Sequence, residues 1–102
     1  MPYVKQEQRN LMNPDLMEVA NTITCKGDLN YAISTLMHLY VKNTKMNYQC
    51  LSDARAAALD AADEFYRSVI APYEDIKAKE NGSVSDLDEK FFGVTNKGNK
   101  PE

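Results

Sequence analysis

Residues 28–42, DLNYAISTLMHLYVK, decide the fold class. Leu29, Ile33, Leu36, Met37, Tyr40 and Val41 recur at steps of three and four, which gathers them on one side of an α-helix. A strand would throw successive side chains to opposite faces of a sheet and scatter that set. No alternating run of Val, Ile and Thr competes with the helical pattern, and no Asn-Gly pair separates two apolar runs. The stretch predicts an amphipathic helix from Asp28 to about Lys42.

Upstream, NPDLMEVANTIT (13–24) reads as a helix start. Asn13 suits the N-cap, Pro14 the first helical position, and Asp15 the positive end of the helix dipole. Leu16, Val19, Ala20 and Ile23 share a face, and Gly27 is expected to end this helix as its left-handed C-cap. Residues 1–12 read as an N-terminal arm anchored weakly by Tyr3, Val4 and Leu11. Downstream, Asn43 to Asn47 is a polar connection of ordinary length. From Tyr48 to Asn81 a three–four spacing again runs throughout, from Leu51 and Ala54 to Tyr73 and Ile76. Such a rod would be about 50 Å long. Its alanine-rich part, Ala54 to Ala62, favours helix and close approach of a neighbour. Pro72 lacks a backbone donor and is expected to kink or restart the helix. Asn81-Gly82 supplies the stop. Beyond it, Ser85 can cap a short helix carrying Leu87, Phe91 and Phe92, and TNKGNKPE (95–102) has nothing to bury. The expected fold is all-α: a short helix, an amphipathic helix and a long Pro-kinked helix in an antiparallel helical bundle. Residues 1–12 form the arm, 13–84 the helical domain, and 85–102 a short helix and flexible tail.

The totals exclude several functions. The chain has 102 residues, 43% hydrophobic and 26% charged, enough for one soluble domain with a modest core. Twelve Lys and Arg against 15 Asp and Glu give a net charge of −3, which argues against general nucleic-acid binding. Cys25 and Cys50 are too few for a disulfide framework and lack metal-ligand spacing with His38, so they read as buried or half-buried thiols in a reducing compartment. The polar start MPYVKQEQRNL is no signal peptide, and no apolar run spans a bilayer, so no membrane role and a cytoplasmic location are expected.

Three places invite a chemical reading. In CKGDLNYAI (25–33), Lys26 and Gly27 before a helix start resemble an anion cradle. Against this, Asp28 as N-cap would occupy the same free N–H groups, which favours a structural corner and leaves Lys26 available beside it. Tyr31, Thr35, His38 and Lys42 step along a strip turned from the apolar stripe, suited to a partner, a base ring or a second subunit. Around Pro72, Arg67, Tyr73, Glu74, Asp75 and Lys77 crowd together. Arg67 beside tyrosines can clamp a phosphate or stack on a ring. Glu74 and Asp75 can meet a cation, but adjacent helical residues point apart. Acids outnumber lysines from residue 74 to residue 90, so a basic partner surface would dock at this end. No P-loop, GxGxxG, CxxC, HExxH or nucleophile with an evident base occurs. No catalytic residues, metal site or cofactor are expected.

MPYVKQEQR (1–9), GDLNYAISTLMHLY (27–40) and EFYRSVIAPYEDIKAKENGSV (64–84) resemble, in order and spacing, a family of short uncharacterised helical proteins encoded mainly by tailed bacteriophages and their prophages. The PYEDxKxxENG segment is the most specific part. The resemblance implies a phage origin and a compact helical fold, and carries no activity; relatives tend to stop near Val84.

The leading functional expectation is a non-enzymatic phage accessory protein that binds and modulates a host factor in the host cytoplasm, for takeover or counter-defence. The surplus apolar length of the third helix points to a homo-oligomer. One alternative is a sponge sequestering a nucleotide immune signal through Lys26, Tyr31, Arg67 and Tyr73. Another is a minor virion component.

Overall fold

The computed structural model describes residues 4–87, and every regular element among them is helical. The expected all-α class holds. The chain divides into two compact units, Met1–Asp60 and Ala61–Glu102. The first contains α1 (Gln6–Ala20), α2 (Lys26–Thr44) and most of α3 (Tyr48–Phe65). The second contains the end of α3, a π-helical turn (Tyr66–Ile70) and α4 (Ala71–Asn81).

α1 begins seven residues before the Asn13 start expected from sequence, so most of the stretch read as an arm is helix. Pro14 lies inside α1 and not at its first position. Local bonds explain the early start. Gln6 Nε2 donates to Asn10 Oδ1 at 2.8 Å, one turn on, and Arg9 Nε donates back to the Val4 carbonyl at 2.8 Å. Pro14 withholds the N–H that the Asn10 carbonyl would accept, but Asn10 is exposed, so water can replace the bond. The helix closes earlier than Gly27. The Asn21 N–H reaches Met17 O at 3.1 Å, and the Thr22 N–H and hydroxyl both reach Val19 O.

α2 starts at Lys26, with extended Cys25 before it. Gly27 therefore sits in the first turn of α2; the one positive-φ glycine among the described residues is Gly82, at φ 93°. Asp28 is correspondingly the third helical residue and not the N-cap. Its carboxylate reaches backward, accepting the Thr24 N–H at 3.0 Å and the Thr24 hydroxyl at 3.2 Å. The bonds tie the residue before the N-cap Cys25 to the first turn of α2. α3 is capped by Asn47, whose Oδ1 accepts the Cys50 N–H at 2.8 Å.

The expected break at Pro72 takes a specific form. The Ala71 N–H bonds to Tyr66 O, five residues back, widening the helix by one residue ahead of the proline. Pro72 then enters at the start of α4, where its missing donor costs least. Gly82 ends α4 as expected, its N–H on Ala78 O at 2.7 Å. The Ser85 cap is also present, with Oγ accepting the Leu87 N–H at 3.1 Å. The contacts expected of Phe91 and Phe92, and the tail, lie outside the described residues.

The described core is very small. Val41, Cys50 and Ala54 are buried, all in the first unit, and no described residue of the second unit is. Of the α2 stripe that identified the fold, Val41 is buried and Met37 half-buried; Leu29, Ile33, Leu36 and Tyr40 are each 44–56% exposed. Cys25 is exposed and Cys50 buried, which corrects the expectation that both thiols are covered.

Candidate functional site

A groove lies between the C-terminal half of α1 and α2, with a cavity volume of about 490 Å³. Leu16, Val19 and Ile23 supply the α1 wall and its exit, and Ala32, Leu36 and Leu39 the α2 wall. Thr22, Asp28, Tyr31 and Thr35 add the polar groups. The three-residue and four-residue steps on both helices aim these side chains at one another once the 21–25 corner reverses the chain. The groove falls in the size range of small-molecule sites and is mainly apolar, as such sites are.

Asp28 marks one end of the groove. The Thr24 N–H, with the Cys25 and Thr24 side chains, holds its carboxyl below the usual carboxylate range. It is therefore an anion at neutral pH, placed on the first turn of α2 where an external anion would have to bind. Lys26 is exposed and is not among the groove-lining residues. Tyr31 lines the groove and remains 73% exposed. His38 is exposed on α2 and does not line it. Of the strip read from sequence, the structure thus brings Tyr31 and Thr35 into the groove and leaves His38 outside. Leu36, which sequence assigned to the opposite stripe, and Leu39, which it passed over, join them.

The second unit carries the other candidates. Arg67 pairs with Glu64 one turn back. Glu74 Oε1 accepts the Tyr66 hydroxyl at 2.7 Å, and Lys77 Nζ lies 5.8 Å from the centroid of the Tyr73 ring while bonding Glu80 Oε1 at 3.2 Å. Glu74, with a smaller contribution from Asp75, pushes the Tyr66 hydroxyl above its ordinary range. Asp75 is exposed. Arg67, Tyr73, Glu74 and Lys77 are thus each engaged with a neighbour on their own helix and do not converge on a common point. Phe65, Val69, Tyr73 and Ile76, each 51–58% exposed, make an apolar stripe beside them.

Among the described residues, no three His, Cys, Asp or Glu side chains gather as a metal site would require, and no helix is long and apolar enough to cross a membrane. What the surfaces offer chemically is apolar contact with a few polar fixing points.

No curated protein and no solved structure matches this chain. A family described as a domain of unknown function, DUF6899, matches residues 1–84, from the N-terminus to the point beyond α4 where the sequence pattern changes. The groove and the Pro72 segment both fall inside that span, and the chain belongs to this family.

Proposed function

We propose that this chain is a small non-enzymatic accessory protein that works by binding, made by a phage to modulate a host factor in the host cytoplasm, and that it does so as an assembly of identical copies. One observation carries the reading: three buried side chains stand against long apolar stripes left in solvent on α2 and on the second unit. Isolated helices of these lengths are marginal in water, and tertiary burial supplies most of their stability. Cover for these stripes by a partner is the reading that this proposal adopts. Resemblance of the MPYVKQEQR, GDLNYAI and PYEDIKAKENG segments to phage-encoded proteins motivates the host setting.

The host-facing surface in this reading is the Phe65–Val69–Tyr73–Ile76 stripe, flanked by the acids Glu74 and Asp75, which suits a basic-rimmed apolar partner. Affinity capture with the wild-type chain from phage-infected lysate should recover one host protein in near-stoichiometric amount. A Tyr73→Ala/Ile76→Glu variant should lose it, whereas His38→Ala should keep it. Recovery of nothing but copies of the chain itself rejects the host-factor reading.

The groove's volume suits a small ligand, which favours the nucleotide-sponge reading as the second choice. Its lining weighs against that reading, because the charged lining group is the Asp28 carboxylate and no Lys or Arg lines it. A panel of cyclic and ADP-ribose-type nucleotides tests it by thermal melting. A ligand at a hundred times its Kd adds about 2.7 kcal/mol, and flat melting temperatures across the panel remove the sponge.

A further inference from the structure

We infer that the groove between α1 and α2 binds a small organic cation, with a protonated amine at Asp28 and an apolar body along Val19, Leu36 and Leu39. The inference goes beyond the host-factor reading, which uses the apolar stripe of the second unit, and the two can fail separately.

Size sets the first limit. A cavity of about 490 Å³ falls in the lower half of the range of small-molecule sites, roughly 300–1,000 Å³. Asp28 and Leu39 both line it, and the stretch of α2 between them is about 16 Å long. A single ring on a short chain fits that length.

The lining is graded along the groove. Asp28 and Thr22 stand at the end beside the 21–25 corner, whereas Leu16, Leu36 and Leu39 present only carbon at the far end. Asp28, Tyr31 and Thr35 follow one another at steps of three and four, so α2 lines them up as one polar row. Leu16, Val19, Leu36 and Leu39, at 43–56% exposed, still have apolar surface to cover. A matching ligand is polar at one end and apolar over the rest.

Asp28 fixes the sign of the polar end, because it is the one charged residue of the lining. The Thr24 N–H and hydroxyl both bond its Oδ2, and the Cys25 side chain adds a third donor. A carboxylate accepts about four, so a place remains for an incoming N–H. The Thr22 hydroxyl already donates to Val19 O at 2.8 Å, and what it has left to offer is an acceptor lone pair. Both groups therefore ask the ligand for donors. An ammonium brings donors and the opposite charge together, and charge-assisted hydrogen bonds are the stronger kind. A phosphate or carboxylate would meet like charge. Half-burial of Asp28 reduces the screening that water would otherwise provide. Tyr31, one turn along the row, adds a ring whose face attracts cations. At 73% exposed, that ring is little restrained by neighbours and can turn over a bound head group.

Three probes with one apolar body and different head groups test the inference: phenylbutylamine, phenylbutanol and phenylbutyrate. Each is titrated at neutral pH into isotope-labelled full-length protein, and amide chemical shifts are followed. The amine should bind with a Kd of about 1 mM or tighter, within reach of so small a ligand, and shift amides of the groove. The alcohol should bind about tenfold more weakly, and the carboxylate more weakly still. Asp28→Asn should reduce the amine to the affinity of the alcohol. Asp28 also ties the corner to α2, so a second variant leaves it in place. Leu39→Trp fills the apolar end and should abolish amine binding with helicity retained, whereas His38→Ala, outside the groove, should bind as the wild type does. Equal affinity for the three probes, or preference for the carboxylate, overturns the inference. Amine binding that survives both Asp28→Asn and Leu39→Trp, or shifts confined to the second unit, overturns it as well. So does the absence of any shift with the amine at about ten times the expected Kd.

Discussion

The Tyr66 hydroxyl donates to Glu74 Oε1 over 2.7 Å, joining residues eight apart across the π turn and Pro72. In an uninterrupted α-helix a step of eight turns the side chains about 80° apart. The extra residue absorbed by the π turn makes that step behave like one of seven, which returns both side chains to one face. The bond thus braces the turn that the proline requires.

That bond sets the titration of Tyr66. The neighbouring Glu74 carboxylate raises the phenol above its ordinary range, so the bond's contribution is present below about pH 10 and is lost as pH rises through the raised value. Glu74→Gln should move one tyrosine back toward ordinary titration, read as phenolate absorbance during an alkaline titration. An unchanged tyrosine profile would disprove the coupling.

Asp28 gives the opposite sign. Its carboxyl is held down by the Thr24 N–H first, and then by the Cys25 and Thr24 side chains. The stability it adds is present above the ordinary value of 3.8 and disappears as pH falls through the lowered one. Helicity followed by circular dichroism from pH 6 to pH 2 should show an acid-dependent loss in the wild type. Asp28→Asn should remove that component, since the amide does not titrate in this window.

With so small a core, one methyl pair matters. Val41→Ala should cost roughly 2 kcal/mol in urea unfolding, since Val41 is 8% exposed and leaves a cavity when shortened. Leu11→Ala, at a site 71% exposed, should change stability by less than about 0.5 kcal/mol. Equal effects at the two positions would mean that α1 is covered in solution by another copy or partner.

Gly82→Ala should cost about 1 kcal/mol locally, because φ 93° is strained for any residue with a Cβ. Nothing lies within 4 Å of the added methyl, so the penalty belongs to the backbone alone. Faster hydrogen exchange of the last amides of α4, with α2 unaffected, is the expected signature.

Much of the local structure was legible in the residues. The α2 stripe, the long helical run from Tyr48 to Asn81, the Gly82 stop and the Ser85 cap each follow from periodicity or from one backbone requirement. Boundaries were harder. Asn13-Pro14 carries a helix-start signature, yet Gln6 to Met12 are good helix formers with their own i to i+4 bond, and α1 runs straight through it. Asp28 looks like an N-cap by type, but as the third residue of α2 it turns its carboxylate back to the Thr24 N–H and hydroxyl instead of to the N–H groups ahead of it. The groove was half legible: Tyr31 and Thr35 stood out as a strip, while Leu39 did not, because sequence ranks faces by apolar count and cannot say which helix arrives opposite.

The amino-acid order by itself determined that this chain is helical and where its longest helix must accommodate a proline, because hydrogen bonding and side-chain period act over a few residues. Which apolar side chains are covered was decided only in three dimensions. Burial depends on what packs against a face, and here Val41 is sheltered while Leu36 and Leu39, on the same helix, open into a groove.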